Sequence, residues 1–157
     1  MGTRLWGAAL ALFLIAAPAL GQERMSDREQ AASDAEIAER TSMIVPGFDG
    51  WRFADVGDRP AIWMDVVWVG RDLAKRAVEV RGDLLFYDLS GRLRFGLAVD
   101  LQQPIERNAA ITQTGIGVGY DETRADHRWL RSTPTSAMLV DFRVKRVLFE
   151  DGELLEY

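Results

Sequence analysis

The chain has 157 residues, a formal net charge of −5 at pH 7 and no cysteine. This acidic balance provides no electrostatic attraction to nucleic acid or to an anionic membrane surface. The missing thiols exclude cysteine nucleophiles, cysteine-ligated zinc and disulfide bonds, so an apolar core has to hold the fold together.

The first predicted element is a secretory signal peptide over residues 1–21. Arg4 supplies a positive start, residues 5–17 form an apolar run, and Pro18 and small residues precede a cleavage site after Gly21. The alternative is a membrane anchor, but the run is shorter than the roughly 20 residues that span a bilayer. We therefore expect a periplasmic or secreted protein. The 17 arginines against 2 lysines are typical of a GC-rich genome and favour a Gram-negative bacterium.

Residues 22–44 are predicted to be a polar tether that is helical in part. Ser33 or Asp34 could cap a short helix, with Glu36 in its first turn. Two interpretations stay open at this point. The segment is either a mobile link between cleavage site and domain, or a helix that docks on the domain.

Residues 45–157 are predicted to form one β domain. Residues 46–50 look like a turn and residues 51–54 like a short edge strand, while the nearly continuous apolar run 61–69 is typical of a central strand. Residues 78–87 alternate with period two. The set predicted to face inward is Val78, Val80, Gly82, Leu84 and Phe86.

The second half of the domain continues this pattern. A tight hairpin at residues 88–91, with Gly91 free to take positive φ, leads to a return strand, and residues 109–120 and 137–149 form later strands. The alternation changes phase at Lys145-Arg146, which predicts a bulge. The return strand is predicted to face inward with Leu93, Phe95, Leu97, Val99 and Leu101.

About seven strands at intervals near ten residues predict an all-β fold, an antiparallel β-sandwich of the immunoglobulin-like type. No helix is predicted inside the domain. Residues 121–135 are read as a polar, irregular loop that Trp129 and Leu130 anchor.

The segment Phe86-Tyr87-Asp88-Leu89-Ser90-Gly91 carries a family resemblance. Together with the ending at residues 147–152, it resembles the small bacterial immunoglobulin-like sandwich domains of the FxLYD type and related uncharacterised exported proteins. The similarity covers residues 62–152, although Pro104-Ile105-Glu106 stands where Pro-Gly is often found in that family. The resemblance implies a non-catalytic role in interaction or envelope architecture.

No catalytic residue, cofactor site or metal site is predicted. His127, the single histidine, lacks a Gly-x-Ser-x-Gly nucleophile elbow and is expected to be a solvated loop residue. The glycines at 115, 117 and 119 alternate inside a strand with no helix after them, so they are expected to receive the 121–135 loop or a partner rather than a phosphate. Asp121, Glu122 and Asp126 lack EF-hand spacing and are expected to form a solvated acidic loop.

The aromatic side chains are the remaining candidates for function. Trp63 and Trp68 are five residues apart, so a regular strand points them to opposite faces, and Tyr87 points away from an inward Phe86. The predicted interaction surface therefore consists of Trp63, Trp68, Tyr87 and Trp129. The alternative is that the N-terminal segment with Phe48, Trp51 and Phe53 covers this aromatic face.

These observations favour a non-enzymatic exported interaction or envelope-accessory domain, whose partner is another envelope or secreted protein or a second copy. The alternative is a protein that binds a small ligand or a carbohydrate on the aromatic face; a hydrolase ranks third. A deep polar pocket would favour the ligand, whereas a flat apolar patch or an open strand edge would favour a protein partner.

Overall fold

The structure is a computed structural model that describes residues 33, 35–36, 38–40, 43–56 and 59–157. The predicted signal peptide at residues 1–21 and most of the predicted tether lie outside these residues. Within the part of the chain that is described, no helix is long and apolar enough to cross a membrane.

The described residues form seven strands in two antiparallel sheets, which confirms the predicted all-β sandwich. A three-stranded sheet has the order β1-β2-β5, and a four-stranded sheet has the order β4-β3-β6-β7. The strands are β1 (Ile44–Val56), β2 (Arg59–Gly70), β3 (Ala77–Asp88), β4 (Leu93–Leu101), β5 (Ala110–Gly119), β6 (Met138–Phe149) and β7 (Leu154–Glu156).

The core lies between the two sheets and is rich in aromatic rings. Trp68 from β2 meets Phe142 from β6 at 4.8 Å between ring centroids, and Phe48 from β1 meets Phe86 from β3 at 5.1 Å. Trp68 is completely buried, and its indole N–H donates to Gln113 Oε1 at 3.1 Å. These two ring pairs therefore join the two sheets, and the buried indole nitrogen has the partner it needs.

The turn predicted at residues 46–50 is wrong, whereas the edge strand predicted at residues 51–54 is confirmed as part of the longer β1, which lies at the edge of its sheet. β1 runs through the whole segment and pairs with β2 from Ile44 to Val56, with a register shift between Phe48 and Gly50. The bulge absorbs the extra residue, and Pro46 is tolerated because an edge strand leaves one side of its backbone unpaired.

The predicted absence of a helix in the domain is also wrong. Helix α1 (Ala125–Ser132) follows β5, and a short 3₁₀ turn (Thr135–Ala137) precedes β6. α1 is eight residues long, has no side-chain cap from Arg124, and buries only His127 and Leu130. A helix of eight residues is too short to show a repeating apolar pattern in the sequence. Its packing against β4 stabilises it in the folded protein.

The hairpin between β3 and β4 agrees with its prediction. Gly91 has a φ of 79°, and the Asp88 carboxylate accepts the backbone N–H groups of Ser90 and Arg92 at 3.0 and 3.1 Å. The predicted bulge at Lys145 is also present, as a shift in the β3–β6 register between Arg146 and Val144. The hairpin and the bulge could both be predicted from the sequence, because each depends on residues that are adjacent in the chain.

The last residues of the predicted tether contact the domain. Residues 33, 35–36 and 38–40 are helical; Arg40 Nε donates to the Val144 carbonyl at 2.9 Å, and the Tyr157 hydroxyl donates to Glu39 Oε1 at 2.9 Å. Partial burial, followed by this carboxylate contact, raises the pKa of Tyr157 well above its ordinary value. Met43 and Ile44 are buried in the core. These contacts favour the docked helix over the mobile link for the described part, while the domain boundaries stay predictions.

The Asp65 carboxylate connects all three strands of its sheet. It accepts the Gly115 backbone N–H of β5 at 2.8 Å and Arg52 Nη1 of β1 at 2.8 Å. The Gly115 hydrogen bond first, and then Arg52, lower the pKa of Asp65 below its ordinary value. A carboxyl whose folded pKa is depressed stabilises the fold fully above its unfolded pKa and loses this contribution as pH falls through the folded value.

We therefore expect Asp65→Asn to weaken the acid dependence of stability. The melting temperature of the variant should fall less between about pH 5 and about pH 3 than that of the unaltered protein. Asp72→Asn is the control, because the Asp72 side chain makes no hydrogen bond or ion pair with any described residue and only its backbone N–H donates, to the Met43 carbonyl. Thermal unfolding followed by circular dichroism measures both, and equal acid slopes for all three proteins would contradict the assignment.

Candidate functional site

An exposed apolar row crosses the outer face of the four-stranded sheet at its hairpin end. Tyr87 on β3 lies directly opposite Leu93 on β4 and Leu139 on β6. Directly opposed residues share a face, and Phe86 points into the core, so these three side chains point outward. Leu93 is 53% exposed and Leu139 is 50% exposed. We call these three residues the Tyr87 row.

Leu93 was predicted to face inward, and the structure corrects this. The β3–β4 register shifts between Phe86 and Tyr87, because Phe86 pairs with Phe95 while Tyr87 pairs with Leu93. Arg94 is the extra residue of this bulge, and one extra residue reverses the alternation beyond it. The inward assignments hold at Phe95, Val99 and Leu101, which are buried.

One further exposed apolar side chain adjoins the row. Leu89, at the tip of the adjoining hairpin, is 66% exposed, whereas Leu85, two residues before Tyr87 on β3, is buried. Three of the five exposed large apolar side chains in the described chain are therefore at this end of the sheet; the five are Phe53, Leu89, Leu93, Leu139 and Leu154. Contiguous exposed apolar side chains are frequent at interaction sites of proteins, whereas single exposed leucines are ordinary.

Charged groups border the row. Arg94 lies 3.6 Å from the Asp88 carboxylate, and the Asp88 pKa is lowered, first by the Ser90 hydroxyl and then by the Arg92 backbone N–H. Asp88 therefore stays ionised at neutral pH beside the exposed leucines. An apolar centre with a charged border is the usual composition of a protein interface.

The four aromatic residues predicted to form one interaction surface do not share a face. Trp68 is 0% exposed and belongs to the core, so its assignment to a surface is corrected. Trp63 is half-buried on the outer face of the three-stranded sheet, while Tyr87 lies on the outer face of the other sheet. Trp129 is half-buried on α1, with the Arg94 guanidinium 5.5 Å from its ring. Only Tyr87 belongs to the apolar row.

The N-terminal segment does not cover the outer aromatic face, contrary to the alternative. Phe48, Trp51 and Phe53 belong to β1, which extends the three-stranded sheet sideways instead of forming a layer over it. Phe48 and Trp51 pack against the core, and Phe53 is 37% exposed.

The glycines of β5 receive an aromatic ring from the neighbouring strand. A Cβ atom at Gly117 would lie 2.6 Å from a ring carbon of Trp63, so the glycine makes room for this indole. The expectation that the 121–135 loop packs on these glycines is therefore wrong at Gly117. A groove of about 280 Å³ adjoins the ring, lined by Arg59, Pro60, Ala61, Trp63, Gly117, Val118 and Gly119.

His127 is buried, which overturns the expectation of a solvated loop residue. It is 4% exposed on α1, its Nδ1 accepts the Asp121 backbone N–H at 3.1 Å, and its ring centroid lies 5.7 Å from that of Phe95. The imidazole therefore connects α1 to the end of β5 and to β4. This arrangement gives His127 a structural role in holding the helix.

The acidic residues near α1 have separate partners. Asp121 accepts from the Thr123 hydroxyl at 2.6 Å, and Asp126 pairs with Arg124 at 2.6 Å; each contact is the first cause of a lowered pKa of its carboxyl. No group of three or more histidine, aspartate or glutamate side chains in the described residues is placed to hold a metal ion.

No family model, curated protein or solved structure matches the chain. The class of the protein therefore rests on its own geometry, and that geometry defines a two-sheet antiparallel β-sandwich with an exposed apolar row on its larger sheet.

Proposed function

We propose that this protein is a non-enzymatic interaction domain that docks on another exported protein through the Tyr87 row. The observation that carries the proposal is the exposure of Leu93 and Leu139 on either side of Tyr87. Leu93 and Leu139 are each about half exposed, so covering one of them stabilises a complex by roughly 1 kcal/mol before the costs of association. The three side chains lie on strands, so little conformational entropy is lost when a partner covers them.

We also propose that the sandwich is immunoglobulin-like, as the FxLYD-type resemblance implies. In immunoglobulin constant domains strands A, B, E and D form one sheet and C, F and G the other. Here β1-β2-β5 corresponds to A-B-E, and β3-β6-β7 corresponds to C-F-G. The fourth strand is the difference, because β4 extends the second sheet rather than the first.

The proposed setting is the periplasm or the exterior of a bacterial cell, which the predicted signal peptide at residues 1–21 supports. A domain without cysteine depends on its core and needs no disulfide formation after export. The proposed partner is another envelope or secreted protein, and the competing occupant of the same surface is a second copy of this chain.

Site-specific photo-crosslinking in cells tests this function. A photoreactive amino acid at Leu93 or Leu139 is expected to form one discrete crosslinked product, whereas the same group at Leu154 is not. Leu154 is the matched control, because it is also exposed, at 45%, but lies on β7 away from the row. A product of twice the chain mass would assign the surface to a second copy, and equal crosslinking from all three positions would contradict the proposal.

A double substitution provides the quantitative test. Leu93→Ser with Leu139→Ser is expected to abolish the discrete product formed from a photoreactive group at Leu89, while Leu154→Ser leaves it unchanged. Substitutions at exposed positions usually change stability by about 0.5 kcal/mol or less, so the fold should persist. Circular dichroism melting checks this, and an undiminished product from the double variant would refute a role for the row.

The alternative function is binding of a carbohydrate at the groove beside Trp63. The observation that favours it is the half-exposed indole at the wall of an apolar groove, because sugar rings stack on such faces. Trp63→Ala should then abolish retention on a glycan array, while the Leu93 and Leu139 substitutions should not.

A further inference from the structure

A second cleft opens where the three-stranded sheet meets α1. Phe53, Pro60, Tyr120 and Arg131 line it together with the turn at residues 121–123, and its volume is about 540 Å³. This volume lies in the range of small-molecule sites in proteins. We call this site the Arg131 cleft. It is distinct from the Tyr87 row, which lies on the other sheet.

Two aromatic rings hold the Arg131 guanidinium in this cleft. Its central carbon lies 4.2 Å from the Phe53 ring centroid and 5.1 Å from that of Tyr120, and the two rings meet edge to face at 5.3 Å. A guanidinium stacked on rings keeps the N–H groups at its edge available. The Arg131 side chain makes no hydrogen bond or ion pair with any described residue. Among the described residues it is therefore an oriented cation without a counter-ion.

Two carboxylates, those of Asp121 and Glu122, also line this cleft. One oxygen of Asp121 accepts the Thr123 hydroxyl and backbone N–H, which fixes the turn and keeps the carboxyl ionised by lowering its pKa. The backbone carbonyl of Glu122 accepts from Arg128 at 2.6 Å, so its position is fixed as well. Neither carboxylate pairs with Arg131. Among the described residues that line the cleft, one is thus a cation without an ion-pair partner and two are carboxylates.

We propose that this cleft binds a small zwitterion, namely a free amino acid or a dipeptide. The carboxylate of the ligand pairs with Arg131, because the guanidinium edge matches its two oxygens. The ammonium group of the ligand lies toward Asp121 and Glu122, and its apolar part packs on Pro60 and the edges of the aromatic rings. A dianion such as phosphate would be repelled by the carboxylates of Asp121 and Glu122, and a simple amine would be repelled by the Arg131 guanidinium. Both should therefore bind more weakly than a zwitterion.

Titration of the full chain with four probes tests this chemistry. The probes are phenylalanine, phenylacetate without the ammonium group, phenethylamine without the carboxylate, and inorganic phosphate. In ¹H–¹⁵N NMR spectra, phenylalanine is expected to give saturable shifts at the amides of residues 121–123 and at the Arg131 side-chain N–H. Each other probe should bind about tenfold more weakly or worse, since each loses one charged contact. Phosphate that bound as tightly as phenylalanine, or no saturable shift with any probe, would overturn the proposal.

Two variants separate the contacts. Arg131→Gln is expected to weaken phenylalanine binding at least about tenfold, whereas Arg107→Gln, the same charge change at an exposed loop position, should leave it unchanged. Glu122→Gln leaves the stacking of Arg131 on Phe53 and Tyr120 intact. It should weaken the binding of phenylalanine and leave the affinity for phenylacetate unchanged or higher. This second variant preserves the test if Arg131→Gln disturbs the fold. Equal losses in Arg107→Gln and Arg131→Gln, or equal effects of Glu122→Gln on both probes, would refute the assigned contacts.

Discussion

Trp68→Ala is expected to lower the free energy of unfolding by about 3–5 kcal/mol, the usual cost of removing a large buried aromatic side chain. Trp68 is completely buried, and its ring centroid lies 4.8 Å from that of Phe142. Its indole N–H donates to Gln113 Oε1 at 3.1 Å. The substitution therefore leaves both a cavity between the sheets and an unpaired amide oxygen. For a domain of this size the melting temperature should fall by roughly 10–20 °C.

Trp63→Ala is the matched comparison on the same strand. Trp63 lies on the outer face over Gly117 and is half-exposed, so we expect a loss of only about 1–2 kcal/mol. Chemical denaturation with urea, followed by tryptophan fluorescence and circular dichroism, measures both variants. Equal losses would contradict the assignment of Trp68 to the core and Trp63 to the surface.

Gly82→Ala is expected to destabilise the protein by about 3 kcal/mol or more, at the upper end of overpacking effects. A Cβ atom at this position would lie 2.6 Å from a ring carbon of Phe142 and even closer to the Arg143 carbonyl oxygen. The Phe142 ring is fully buried, and the carbonyl belongs to β6, the strand that pairs with β3. Relief of the clash would require the two central strands of the sheet to separate.

Gly119→Ala is the control for this substitution. Nothing lies within 4 Å of a Cβ atom added at Gly119, so the change should cost no more than about 0.5 kcal/mol. Thermal melts of both variants measure the difference. A well-folded Gly82→Ala protein with unchanged stability would show that the approach of Phe142 to β3 is looser than described.

The Tyr87 row and the Arg131 cleft lie on different sheets and have different chemistry. The row is a flat apolar surface with a charged border, which suits a protein partner. The cleft is concave and carries separated charges, which suits a small polar ligand. The two proposals can therefore be tested independently, because the Leu93 and Leu139 substitutions leave the cleft lining unchanged.

The candidate site could be predicted only in part from the sequence. Tyr87 was assigned to the outside because Phe86 before it had to face inward, and the structure places it there. The alternation predicts Leu93 to face inward, but a bulge at Arg94 turns it outward, and no feature of the sequence singles out Leu139 beside the buried Met138. Nothing in the local sequence indicates that Tyr87, Leu93 and Leu139 align, because register between strands depends on long-range pairing.

The Arg131 cleft has no local signal at all. Arg131 and Phe53 are far apart in the chain, and they meet because β1 and β5 finish at the same end of the three-stranded sheet, where α1 follows. A pair of this kind follows from topology, so neither periodicity nor spacing reveals it. The same reason explains why His127 was misjudged, since its burial depends on Asp121 and Phe95 closing around it.

The sequence by itself determined the features that depend on neighbouring residues. Period-two alternation predicted β3 and β6, and the nearly continuous apolar run 61–69 predicted the central strand β2. Asp88 and Gly91 predicted the hairpin, and the change of phase at Lys145 predicted the bulge. The reason is that period-two burial and turn geometry are local properties of the backbone.

Only the tertiary structure decided which tryptophan is buried, that residues 125–132 form a helix, and that Leu93 faces solvent. Each of these depends on what packs against the residue from a distant part of the chain. For a short segment, the helical and non-helical states have nearly equal local energies, and the same holds for the inward and outward directions of a side chain beyond a bulge. Contacts across the sandwich therefore decide between them.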